Sequence, residues 1–130
     1  MKRAVLCLLL LVPAATALAE LLSLMPGSPA VEAILYRPGT PAGLRANLIH
    51  FATTDTSRDA TGEAWYWMGL SFDREGATDS ARVCYERALG LRGAAEERDA
   101  LSETLFARGR PADLVRAREV RHQSQRRDRW

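Results

Sequence analysis

Lysine is almost missing from this chain: Lys2 is the single one in 130 residues. Cysteine is scarce, with Cys7 and Cys84 alone, and histidine is confined to His50 and His122. Each shortage removes a class of chemistry. Without lysine beyond position 2 there is no GxxxxGK[ST] phosphate-binding loop. Two distant cysteines make no disulfide framework. Two histidines with no cysteine pair and no His–Glu spacing do not provide the ligands of a metal centre. No Ser–His–Asp set is placed by spacing, and Glu96, Glu97 and Asp99 read as the acidic first turn of a helix rather than an acid/base pair. These observations predict a protein that is not an enzyme and carries no cofactor or metal. Period-two alternation long enough for a strand is also lacking, which predicts an all-α fold.

What is present begins with "MKRAVLCLLLLVPAATALAE". Lys2 and Arg3 precede an apolar run from Ala4 to about Val12, and the small residues Ala17-Leu18-Ala19 follow. That is the layout of a secretory signal peptide cleaved near Ala19, covering residues 1–19. The run is short for a bilayer span, which needs roughly 20 residues. The expectation is therefore an exported chain, periplasmic or secreted. Cys7 lies inside the run and is removed with it, leaving Cys84. From Glu20 onward sixteen arginines balance sixteen carboxylates, yet the charge is uneven. Residues 108–130 hold eight arginines against Asp113, Glu119 and Asp128, so an acidic body carries a basic tail.

Two echoing phrases, "PGSPA" at 26–30 and "PGTPA" at 38–42, punctuate the next segment. Ser28 and Thr40 suit N-caps, and Pro29 and Pro41 suit the first helical position, where the missing N–H costs nothing. They predict helices over about 29–36 and 41–53, the second with Leu44, Leu48 and Phe51 on one stripe. "TTDTSRD" (53–59) reads as a polar connector. Further helices are predicted over about 60–75, closing at Gly76, and 77–90, with Ala81, Cys84, Tyr85 and Ala88 on one face. A fifth runs from near Gly93 to near Gly109, and a sixth from Pro111 through the arginine-rich tail.

Aromatic residues make up only 7% of the chain, yet Trp65, Tyr66 and Trp67 are consecutive. Trp65, Met68, Gly69 and Phe72 share one helical face, and Ala81, Tyr85 and Ala88 follow at fixed spacing, with Gly76 between. This stretch resembles the tetratricopeptide repeat, whose pattern is Trp, two residues, Leu-Gly, two residues, Tyr, then Ala, three residues, Phe, then Ala. Interior glycine costs a helix roughly 0.5–1 kcal/mol; close approach of the helix carrying Ala81, Tyr85 and Ala88 gives Gly69 its reason. "LSETLFARG" (101–109) resembles a second, degenerate unit, with Ser102 in the glycine's place and Arg118 in that of the aromatic ring. "LRANLIHF" (44–51) reads as the end of an earlier one. The surrounding pattern is similar to repeats of exported envelope proteins of the Tol–Pal-associated type. The resemblance implies a short stack of antiparallel helix pairs: residues 20–58 a degenerate N-terminal segment, 59–92 a clear repeat and 93–128 a weaker one.

In tetratricopeptide repeats the first helix of each pair lines a groove that receives partner peptides. The resemblance thus implies a groove formed by Glu63, Tyr66, Trp67, Leu70, Asp73 and Arg74, and an adaptor that binds another protein or peptide of the cell envelope. Tyr66 and Trp67 are equally compatible with packing on a neighbouring unit. The tail, through Arg116, Arg118, Arg121, Arg126, Arg127 and Arg129, supports a different reading: a structural envelope component in peripheral contact with anionic glycan or lipid. Nucleic acid is not an expected partner of an exported chain, and a stack with apolar ends is compatible with self-association. Cys84 reads as a small buried hydrophobe.

Overall fold

A computed structural model describes residues 27–55 and 57–127. The expected signal peptide at 1–19, and the tail end with Arg129, lie outside the described residues. Six helices follow one another: α1 (Pro29–Leu35), α2 (Pro41–Thr54), α3 (Arg58–Arg74), α4 (Thr78–Leu91), α5 (Ala95–Arg108) and α6 (Pro111–Arg127). No strand occurs among the described residues. The fold is all-α, a series of antiparallel helix pairs packed in the manner of a helical-repeat stack.

Local chemistry sets the boundaries. Proline opens α1, α2 and α6. Thr40 Oγ1 accepts from the Gly43 N–H at 3.1 Å, and Ser57 Oγ accepts from the Ala60 N–H at 3.3 Å. Ser28 holds the N-cap position of α1 but makes no capping bond with its hydroxyl. Its backbone N–H instead donates to Glu63 Oε2 at 2.7 Å. The connector expected over 53–59 is shorter, since α2 runs to Thr54 and α3 starts at Arg58. Thr53 and Thr54 stay helical, returning their hydroxyls to the carbonyls of Ile49, His50 and Phe51. Beyond the ends of α3, α4 and α5, Gly76, Gly93 and Gly109 take φ of +74°, +66° and +65°. That left-handed position ends a helix cheaply only without a Cβ.

Packing joins the pairs through two apolar clusters. Val31, Ile34, Leu48, Ala64, Trp65, Met68, Cys84 and Ala88 form the first, drawn from α1 to α4. Ala81, Tyr85, Leu101, Leu105, Ala117 and Val120 form the second, drawn from α4 to α6. Helix α4 serves both, and Tyr66 and Phe72 lean on each. Against Gly69 lies the Tyr85 ring: an ideal Cβ at position 69 would stand 2.6 Å from Tyr85 Cδ1. The ring is fully buried, with its hydroxyl donating to Asp73 Oδ2 at 2.6 Å.

The last pair departs from the expected register. Arg118 does not replace the ring of Tyr85 in the core; it is exposed, and Ala117 and Val120 are fully buried instead. The turn between α5 and α6 is residues 109–110, whereas the turn between α3 and α4 is 75–77. Both α4 and α6 start two residues after the turn glycine, but α5 runs one residue closer to its glycine than α3 does, and the inward face of α6 falls one position earlier. Ser102, at the place of Gly69, is buried as expected of a small residue there.

Candidate interaction surfaces

Helix α3 positions the residues implied by the groove, and the structure separates them. Glu63 is buried at 7% exposure, and its carboxylate is engaged by the Ser28 N–H at the start of α1. The place of Glu63 in the implied groove is corrected accordingly: it holds an element of the fold. Asp73 is half-buried and accepts the Tyr85 hydroxyl, so its carboxylate is also engaged. Arg74 is exposed, while Tyr66, Trp67 and Leu70 are half-buried.

The two outer rings combine both arrangements the sequence allows. Tyr66 and Trp67 meet edge to face with centroids 5.8 Å apart, and Tyr66 lies 6.0 Å from Tyr85. The Arg92 guanidinium stands 5.9 Å from the Tyr66 centroid. Burial, and then the carboxylates of Glu96 and Glu97, raise the Tyr66 hydroxyl pKa above its ordinary value. Those carboxylates belong to α5, so Tyr66 looks across from α3 to the next pair. Trp67 packs on the first cluster yet keeps part of its ring in solvent. Trp65 is core, with the Arg87 guanidinium 4.4 Å over its ring.

The arginines of α6 are likewise not equivalent. Arg116 makes a two-pronged pair with Glu86 on α4, at 3.1 and 2.9 Å. Its availability for an anionic surface is therefore corrected, because its charge is already met. Arg121 stacks 4.5 Å over Phe106 and donates to Ser102 Oγ at 3.4 Å. Arg118 and Arg126 are exposed. The side chain of Arg127 falls outside the described residues.

Sequence reasoning passed over a cleft of about 260 Å³ lined by Leu89, Gly93, Arg98, Gln123 and Arg126. Its walls come from the end of α4, the following turn, the start of α5 and the last turns of α6. Arg98 Nη1 donates to the Gly93 carbonyl at 2.6 Å, and Arg98 Nε is buried with no hydrogen-bond partner among the described residues. The signal in the sequence was a basic residue one turn into α5, masked by its neighbours Glu96, Glu97 and Asp99. Glu97 is turned elsewhere: fully buried, it accepts from Arg92 Nε and the Ala94 N–H, each at 2.6 Å.

His50 and His122 are both exposed on separate helices, α2 and α6. No cluster of metal-ligating side chains occurs among the described residues. Cys84 is buried, and its thiol pKa is pushed up to about 11 by that burial, against the weaker opposing fields of Arg87 and Arg45. No helix among the described residues is long and apolar enough to cross a membrane. No family model, curated protein or solved structure matches the chain.

Proposed function

We propose that this chain is an exported adaptor of the tetratricopeptide-repeat kind, binding an envelope protein or peptide along the outer face of α3. One observation carries the reading. Trp67, Leu70 and Arg74 reach solvent from α3, while Glu63 and Asp73 beside them are tied into the fold. Tryptophan and arginine supply a disproportionate share of interface energy when a partner covers them. Tyr66 extends the surface toward α5, where Glu96, Asp99 and Glu103 are exposed or nearly so. Recognition then works by apolar anchoring on Trp67 and Leu70, with Arg74 selecting an acidic group on the partner.

A second reading, an envelope component whose arginine-rich last helix meets anionic glycan or lipid, draws on the exposed Arg118 and Arg126. Salt separates the two. Tail-driven attachment weakens steeply as ionic strength rises, whereas apolar groove binding does not. The test is capture from envelope extract on the immobilised chain, comparing the parent with Trp67→Ala and Arg74→Glu. Arg74 is exposed, so its reversal leaves the fold intact. Capture that both variants retain, and that high salt abolishes, sinks the adaptor reading and favours the tail. The informative truncation ends after Gln123, because Ala117 and Val120 belong to the core and must stay.

A further inference from the structure

Helices α3 and α5 are equivalent elements of successive pairs. Glu97, Leu101 and Ser102 are buried in α5 as Ala64, Met68 and Gly69, each 33 positions earlier, are buried in α3. In that register Glu96, Asp99 and Glu103 come out on the side where α3 presents Tyr66 and Leu70, and all three are exposed. The two edges adjoin, because Ala100 packs against the second cluster together with Tyr66 and Leu70. Positions 96, 99, 100 and 103 share one helical face, so the carboxylates border this apolar strip. Burial first, then the fields of Glu96, Glu97 and more weakly Asp99, raise the Tyr66 hydroxyl pKa, in keeping with carboxylates beside the ring. Arg92 also faces Tyr66, but its Nε is given to the buried Glu97 at 2.6 Å and does not discharge the exposed three.

Like charges at i,i+3 and i,i+4 destabilise a helix. Glu96 is offset by its place in the first turn of α5, at the positive end of the dipole. Asp99 and Glu103 lie beyond that turn, where the dipole's effect has faded. We propose, resting on the adaptor reading above, that the α3 surface receives a basic segment of its partner protein, an apolar side chain flanked by lysines or arginines. The apolar side chain covers Trp67 and Leu70, and the flanking cations reach Asp99 and Glu103. Arg74, one turn beyond Leu70, keeps its preference for an acidic group at that end, so the segment is basic where it crosses α5. Charges at the edge of an apolar contact act chiefly on the encounter rate and its salt dependence. The bound state still depends on the tryptophan, which separates it from attachment through the α6 arginines.

The test uses fluorescein-labelled synthetic peptides carrying Leu, Phe or Trp between lysines or arginines, each with a twin in which glutamate replaces the bases. Fluorescence anisotropy follows their binding to the full-length chain. Basic members are expected to saturate and their twins not. Affinity is expected to fall roughly ten-fold or more in Trp67→Ala, and likewise in Asp99→Lys combined with Glu103→Lys. The charge-reversed chain is expected to take up the glutamate twins instead, a gain that a misfolded chain cannot show. Twins that bind as well as the basic members, with Trp67→Ala weakening both, overturn the basic partner and leave the α3 surface standing. Absence of saturation by every basic member does the same, provided that capture from envelope extract is still lost in Trp67→Ala. Binding that charge reversal abolishes and Trp67→Ala retains overturns both readings, since the carboxylates then act without the apolar anchor. Sedimentation of the chain alone tests a second copy as the occupant. Self-association abolished by the charge reversal assigns the surface to another copy's arginine-rich tail and overturns the proposal.

Discussion

Gly69 and Cys84 show how single positions are fixed by what stands opposite. Tyr85 cannot swing away from Gly69, since its ring is fully buried and its hydroxyl is held by Asp73. Gly69→Leu is therefore expected to overpack α3 against α4 and to destabilise by about 1–3 kcal/mol. Thermal melting reads this directly, and a midpoint equal to the parent's contradicts the close-approach account. Cys84 couples the same core to pH. Burial favours the neutral thiol and raises its pKa from the ordinary 9.0 to about 11 in the fold. The stabilisation is fully present below pH 9 and is lost as pH rises through 11, because the unfolded chain gives up its proton first. Two units correspond to about 2–3 kcal/mol. Denaturant midpoints should fall over that window in the parent, and the part due to the thiol should vanish in Cys84→Ala.

At the scale of elements, α1 is the weakest, a helix of seven residues. Too short to persist alone, it is held by Val31 and Ile34 in the first cluster and by the Glu63 carboxylate at its N-terminal end. That placement also favours the helix dipole, since anions are stabilised near an N-terminus. Glu63→Ala is expected to free α1 with α3 to α6 left intact. Hydrogen exchange would then speed up across 31–36 and stay slow in α4, whereas uniform acceleration contradicts a local anchor. The sequence made α3 and α4 readable because their contacts repeat at three and four residues, as Trp65, Met68, Gly69 and Phe72 do. It could not make the role of Glu63 readable, as its partner stands 35 residues away. The inward face of α6 was equally hidden. It depends on how α5 ends and α6 begins, and arginines occur on every side of that helix.

Across the whole molecule, what matters is whether the two clusters fold together. Helix α4 gives Cys84 and Ala88 to one and Ala81 and Tyr85 to the other. One rigid helix therefore carries a loss in either cluster to its neighbour. The cleft belongs to this scale too: Leu89, Arg98 and Arg126 line it together only because α4, α5 and α6 pack on one another, which no local pattern announces. Leu101 tests the coupling because it is fully buried in the second cluster, remote in sequence from Trp65 and Trp67. Leu101→Ala should cost about 2–5 kcal/mol. In a Trp130→Phe background, fluorescence reports the first cluster, while far-ultraviolet circular dichroism reports all helices. If α4 couples the clusters, both signals fall in one coincident transition shifted to lower denaturant. A repeat stack whose units melt separately behaves differently. There circular dichroism would fall first as α5 and α6 unfold, with fluorescence holding to the parent's midpoint, and α4 would be the boundary between two folding units.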